Sequence, residues 1–548
     1  MMNEKKHVVI IGAGVGGTAT AARISRQGFQ VTVIEKNAYL GGRCSLLHQG
    51  GFRFDQGPSL YLMPKIFDEL FADLDERIED HLELLRCENN YKVHFHDGDF
   101  IQLSSDLARM KTEIERIEGT QGFGRFLDFL KEAHIHYTEG TPIAIKKNYA
   151  SIWDLIQWRF VPKIFRLHLF DTVYRRASIY FKTKKLRMAF TFQTMYMGMS
   201  PYDAPAVYSL LQYTEFTDGI WYPLGGFNKV LQALETIATD KYGARFIYNT
   251  TVTKMNTKDR QVTGVTLETG QVIHADAIIC NADLVYAYHT LLPLCPYTKK
   301  LNAKRLTSSS ISFYWSMSKK INQLDVHNIF LAESYQESFD EIFQKHSLPS
   351  QPSFYVNVPS RIDPLAAPPD KDAVIVLVPI GHMKDDDQTD YGELVRRARS
   401  MVLDVIHRRL GIQQFEDWIE HEMVNDPSTW QSKFNLWKGS ILGLSHDIFQ
   451  VLWFRPSIKD VTGRYDNLYF VGASTHPGTG VPIVLSGSKL TSDQVCQGFD
   501  RKPLPRKLGE QKVEEDNNLF LSLVIFLLPL FFSLYFFTAC LQVMNIKS

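Results

Sequence analysis

Short apolar runs alternate with glycine-rich breaks at the start of the chain. His7–Ile11 is a compact, β-branched run suited to a strand covered on both faces. Gly12-Ala13-Gly14-Val15-Gly16-Gly17 follows at once, and small residues from Thr18 to Ala22 continue into a helix that Gly28 ends. Phe29–Ile34 then predicts a second strand. Further on, Pro64–Asp75 predicts a helix, and Tyr91–Leu103 a hairpin turning at Asp97-Gly98-Asp99. From Ser104 to Thr217 the pattern is helical, rich in aromatic and basic residues. Trp221–Phe227 introduces a helix that runs through Ile237. Arg245–Val252, Gln261–Leu267 and Val272–Cys280 predict strands, as do Ser308–Ser318, Ser353–Pro359 and Ala373–Pro379. Thr389–Leu410 has the period of an amphipathic helix, stopped by Gly411. Asn467–Pro482 predicts a strand, a glycine turn and a helix starting near Val481.

The tail is different. Leu519–Leu541 carries 23 residues without a charge. As a helix it would reach roughly 34 Å, enough to span a bilayer core, and Pro529 would kink it. Arg501, Lys502, Arg506, Lys507 and Lys512 precede it and only Lys547 follows. That asymmetry predicts a single-pass membrane protein whose folded body faces the cytosol, with Glu514, Glu515 and Asp516 weakening the local bias; the endoplasmic reticulum is the membrane expected, though the charges do not select it. The N-terminal apolar run leads directly into the glycine loop, so it does not predict a cleaved signal.

With 548 residues there is room for two or three domains, and 60 basic against 60 acidic residues give no reason to expect nucleic acid. Six scattered cysteines without C-x-x-C predict free thiols, with no disulfide frame and no metal site. The fold class expected is α/β: a Rossmann-type unit assembled from residues 1–103, 218–306 and 456–500, with a substrate domain from 104–217 and 307–455 inserted between them. A charged linker, 501–517, leads to the membrane helix, 518–543.

The chemistry begins at Gly12, Gly14 and Gly17, spaced as G-x-G-x-x-G between a strand and a helix. Glu35, at the end of the second strand, is placed to accept hydrogen bonds from a ribose. Together they predict a dinucleotide site, with NAD as well as FAD open at this point. Gly41-Gly42-Arg43, Asp55-Gln56-Gly57-Pro58-Ser59 and Ala473-Ser474-Thr475-His476-Pro477-Gly478-Thr479-Gly480-Val481-Pro482 narrow the choice. With the N-terminal fingerprint these stretches resemble the bacterial and fungal type of phytoene desaturase, in the FAD-binding amine oxidase and desaturase superfamily. The resemblance spans most of residues 7–500 and is nearest to the fungal members. Ile483 departs from it, where many bacterial relatives carry glycine.

The resemblance implies FAD held by Gly12, Gly14, Gly17, Glu35, Gly41, Gly42, Arg43, Gly57, Val252, Gly472, Thr475, Gly480 and Val481, with Val252 beside the adenine. It implies phytoene as the polyene substrate, desaturated through phytofluene, zeta-carotene and neurosporene in four steps to lycopene, or five to 3,4-didehydrolycopene. No second glycine fingerprint offers a nicotinamide bay, so a quinone or oxygen is the expected electron acceptor. The alternatives are a carotenoid isomerase, a flavin amine oxidase and a GDI-like isoprenoid carrier; the intact fingerprint speaks against the carrier. A homo-oligomer is left open.

Arg43 and His476 are the candidates for acid–base work. Arg43 is better suited to neutralising charge on reduced flavin, and His476 to a hydrogen bond with a neighbouring loop. Between Arg159 and Arg187 nine basic residues and one acid are interleaved with aromatics. Either a segment lying on an anionic bilayer or an ordinary solvated face fits that pattern equally well.

Overall fold

Four distant parts of the chain meet in one parallel sheet. The computed structural model describes residues 5–149, 151–154, 161–385 and 387–504. His7–Ile11 pairs with Gln30–Ile34 on one side and Ala277–Cys280 on the other; Arg245–Ile247 and Leu468–Phe470 form the edges. Val8, Val9 and Ile10 are wholly buried, as an unbroken apolar run in a sheet covered on both faces requires. The helix Val15–Arg26 packs over this sheet and against the C-terminal helix Val481–Gly498. The two helices share a buried cation: Arg23 donates to Asp73 at 2.9 Å and to the Leu485 carbonyl at 3.0 Å.

Two expected strands are each divided. Arg245–Val252 breaks at Asn249, which is left-handed at φ 51°. Beyond the break, Val252–Lys258 opens a three-stranded antiparallel sheet with Gln261–Leu267 and Val272–His274. Val272–Cys280 breaks at Asp276, whose amide donates to the His7 carbonyl and whose carboxylate accepts the His7 amide, both at 2.8 Å. That residue carries the chain from one sheet to the other. Alternation of side chains does not record such a crossing.

The inserted domain is built on a seven-stranded sheet, ordered Ile419–Asn425, Ser309–Met317, Asp372–Ile380, Phe354–Asn357, His327–Phe330, Tyr91–His94 and Phe100–Leu103. The last two strands are the expected hairpin. They pair with the inserted sheet, so the boundary at 103 placed them in the wrong unit; their partner strand lies far down the chain at His327–Phe330. Tyr391–Leu410 covers one face with Ala398, Val402, Val405 and Ile406, and Gly411 ends it at φ 70°. A helical layer, including Gln121–Ala144 and Leu210–Thr217, closes the domain around Phe126, Phe129, Phe181, Phe190 and Phe216. Among the described residues no helix is long and apolar enough to cross a membrane. The expected span at Leu519–Leu541 lies outside the described residues, as does the linker from residue 505 onward.

Candidate cofactor and substrate site

The glycine loop does three different jobs. Gly12 turns the chain at φ 96°, and its amide donates to the Ile34 carbonyl at 2.8 Å. A side chain on Gly14 would begin 2.9 Å from the Asn281 amide nitrogen, and one on Gly17 would lie 2.1 Å from the Gly12 carbonyl oxygen. Gly17 therefore serves helix packing and stays out of the cavity wall, whereas Gly12 and Gly14 line it. Helix Val15–Arg26 starts at Gly14 with no side-chain cap, and Val481–Gly498 starts at Gly480, φ 97°, also uncapped. Both N-termini face one cavity, and their dipoles make a pair of anion sites that suits a pyrophosphate and an electron-rich ring edge.

Glu35 is buried and fixed. One oxygen accepts the Ala13 amide at 2.8 Å; the other accepts the backbone and side-chain nitrogens of Asn37, each at 2.9 Å. A carboxylate offers about four acceptor positions, which leaves capacity for a ribose hydroxyl. Thr250, Thr251 and Val252 line the cavity with it. Burial lowers the pKa of neighbouring Lys36, an effect Glu35 partly offsets.

Gly41, at φ 111°, donates to the Ala13 carbonyl at 2.9 Å. Asn228 pins this loop, donating to Leu40 and Cys44 carbonyls at 3.2 and 3.0 Å. Arg43 donates to the Ile441 carbonyl. Burial lowers its pKa, opposed by the carboxylate of Asp283. Burial in turn raises Asp283, held back by the Tyr286 amide and Arg43. Gly57 packs on Arg43: a side chain there would begin 2.5 Å from the Arg43 carbonyl oxygen. Gly472, at φ 133°, accepts the Thr475 amide at 3.1 Å, and both line the cavity.

His476 is placed elsewhere. It is buried, outside the cavity wall, and its Nε2 lies 2.7 Å from the Lys147 carbonyl. Burial pulls its pKa to about 4, so the neutral ring donates to that loop. This is the hydrogen bond to a neighbouring loop that its place in the sequence suits.

All the expected cofactor residues except Gly17 line a cavity of about 1800 Å³. That exceeds the roughly 300–1,000 Å³ typical of a site for one small ligand. Away from the glycines the wall is mostly apolar, with Leu62, Ile145, Met195, Met197, Leu210 and Leu377, and Lys163, His168, Asp171 and Arg175 among its polar members. It reaches the surface at Phe165, Phe170, Phe449 and Phe454, the first two 62% and 65% exposed. Part of the basic aromatic stretch thus forms this mouth. Others of its cations are paired: Arg166 with Glu139 at 2.6 Å, and Lys185 with Asp97 and Asp99, each at 2.7 Å. Residues 159 and 160 lie outside the described residues.

Glu132, His136 and His168 cluster closely enough to hold a cation, but Arg176 and the Tyr180 hydroxyl already occupy the Glu132 carboxylate. Sequence reasoning passed over Asn281, Asp283, Asn228 and Tyr355 as site residues. For Asn281 and Asp283 a signal existed: they close a strand of the dinucleotide sheet, where such sheets bind ligands.

The chain matches the flavin containing amine oxidoreductase family over residues 15–496. A phytoene desaturase of Phycomyces blakesleeanus is 67% identical over 535 residues, covering 96% of this chain and 92% of the relative. A phytoene desaturase of Neurospora crassa is 51% identical over 508 residues, 90% of this chain and 85% of the relative. Among solved structures, a putrescine oxidase bound to putrescine superposes with a TM-score of 0.60 at 13% identity, covering 90% of this chain and 99% of that one. That last likeness concerns the fold.

Proposed function

The chain belongs to the phytoene desaturases of the flavin-containing amine oxidoreductase family, and on that premise we propose how it works and where. It is an FAD-dependent oxidoreductase of carotenoid desaturation. Gly12, Gly14 and the two uncapped helix starts suit the pyrophosphate, Glu35 the ribose, and Gly41–Arg43 with Gly472–Val481 the ring system. FAD supplies a two-electron acceptor for hydride. Phytoene lies along the apolar length of the cavity, entering at the aromatic mouth, and each pass through the site adds one conjugated double bond. The observation that carries this reading is the single cavity that joins two open helix N-termini to an apolar corridor. An amine oxidase would need polar groups around a cationic substrate, and the corridor has few.

Four rounds would give lycopene and five 3,4-didehydrolycopene. Electrons leave to a lipid-soluble quinone or to oxygen. The charge-free segment Leu519–Leu541 anchors the chain in the endoplasmic reticulum membrane, body in the cytosol, and the exposed phenylalanines bring the mouth to the bilayer.

Anaerobic single turnover tests the reaction. Phytoene should bleach the flavin, and a quinone, not NAD⁺, should restore it. Stoichiometric NADH formation without flavin would overturn the proposal. In cells that accumulate phytoene, the pigment spectrum counts the double bonds.

A further inference from the structure

One hydrogen-bonded chain of side chains leads inward from the mostly apolar wall. Ser59 and Tyr355 line the cavity, Ser59 two residues beyond Gly57, which packs on Arg43. Ser59 Oγ stands 2.7 Å from the Tyr355 hydroxyl, and that hydroxyl stands 2.7 Å from His327 Nδ1. Asn357 sets the direction. Its amide nitrogen donates to the Val326 carbonyl at 3.0 Å, which fixes the orientation of the amide, and the same nitrogen lies 3.3 Å from His327 Nδ1. A ring nitrogen facing an amide donor carries the lone pair, so the ring proton is on Nε2, 3.6 Å from Cys87 Sγ. Tyr355 therefore donates to His327, and Ser59 donates to Tyr355. Both hydroxyl protons point inward, and the Ser59 lone pairs are left to the cavity.

We propose that Ser59, Tyr355 and His327 form the route by which the substrate proton leaves the cavity. The proposal rests on the desaturase reading above. Each new double bond breaks two C–H bonds on neighbouring carbons. One hydrogen leaves with both its electrons, as hydride to the flavin. The other leaves as a proton, and its bonding pair becomes the new π bond. That proton goes to Ser59 Oγ as Ser59 passes its own to the Tyr355 oxygen and Tyr355 passes its own to His327 Nδ1. The products are the desaturated carbon pair and an imidazolium at His327, and its proton returns along the same chain to the quinone or oxygen that takes up the hydride equivalent, which restores the neutral ring for the next round. Ser59 meets the substrate; Tyr355 and His327 act through it.

The surroundings keep His327 free to accept. The titratable groups facing it are Tyr355, Cys87 and Tyr91, whose ring is 6.0 Å away and whose hydroxyl is held by buried Glu215. Burial alone draws the His327 pKa down to about 3, and pushes the Cys87 thiol up to about 12. The imidazole is therefore neutral, and the thiol protonated, across the physiological range. A weak base suffices, because the C–H beside a carbon losing hydride becomes strongly acidic.

The test uses Tyr355→Phe, which keeps the ring and removes the link, with Ser59→Ala and the conservative Ser59→Thr. Flavin content confirms that each variant holds cofactor. In ¹⁵N-imidazole spectra of the substrate-free protein, His327 should be the Nε2–H tautomer, and Tyr355→Phe should shift its Nδ1 resonance. In single turnover, Tyr355→Phe and Ser59→Ala should slow flavin reduction by phytoene about 10²–10⁴-fold, the usual weight of a positioned proton acceptor. Ser59→Thr should keep most of the rate, and the solvent deuterium effect of the parent should vanish in Ser59→Ala. An Nδ1–H tautomer in the parent, or FAD-loaded Tyr355→Phe reducing at the parent rate, would overturn the route. Failure of the parent itself to bleach with phytoene would instead overturn the desaturase reading, and the tautomer result would still decide the direction of this chain.

Discussion

Gly14 and Gly17 are three residues apart and fail differently when substituted. At Gly14 the first added carbon meets only the end of the Asn281 side chain, at the cavity wall. Gly14→Val is expected to fold and to lose FAD, read from the flavin absorbance of purified protein; full occupancy would remove this loop from the site. At Gly17 the clash is with backbone, so Gly17→Ala is expected to lose the fold, read as loss of soluble protein and of a cooperative melt. Glu215 gives a prediction in pH. It is wholly buried, accepting from Tyr91 at 2.9 Å and Gln193 at 3.3 Å, and burial raises its pKa from 4.5 to about 8. Between those values the folded chain holds a proton that the unfolded chain has released. Stability is therefore fully present below about 4.5, falls as pH rises, and levels off above about 8. Glu215→Gln should flatten that decline, measured as melting temperature against pH. Where residue chemistry is local, as with the glycines and Glu35, the sequence disclosed it. Tyr355 and His327 were illegible because their partner Ser59 lies in another part of the chain.

Elements were legible wherever their burial repeats along one segment. His7–Ile11, Pro64–Asp73, Ser309–Met317 and Tyr391–Leu410 match the apolar period because each packs one way throughout. The divided strands did not, since Asn249 and Asp276 change the partner and not the pattern of side chains. Helix packing offers a test that separates two ends of one ion pair. Arg23 and Asp73 are both buried, and Lys489 stands 3.9 Å from Asp73. Asp73→Ala strands a buried guanidinium and should cost about 3–5 kcal/mol. Arg23→Met leaves Asp73 facing Lys489 and should cost less. Denaturation midpoints of the two variants give the order, and equal losses would mean that Lys489 does not compensate.

The cavity belongs to the whole molecule. Its wall draws on the parallel, the three-stranded and the seven-stranded sheets and on the helical layer, which is why periodicity disclosed the cofactor end and not the corridor. At its mouth, Phe449→Ser with Phe454→Ser should weaken binding of a tail-truncated chain, lacking 519–548, to liposomes, and should raise KM for bilayer-held phytoene more than kcat falls. Unchanged flotation would mean that these rings do not meet lipid. The order of the parallel sheet has a further consequence, for biosynthesis. Of the two neighbours of His7–Ile11, only Gln30–Ile34 is close in sequence; Ala277–Cys280 comes later, and the edge strand Leu468–Phe470 near the end. At 5–20 residues per second, the ribosome needs roughly 20–90 s to go from the second strand to the last. Throughout that interval the nascent chain shows an open, apolar sheet edge, and the loop from Gly472 to Val481 has not been made. The whole cofactor site therefore exists only once the chain has been made through Val481.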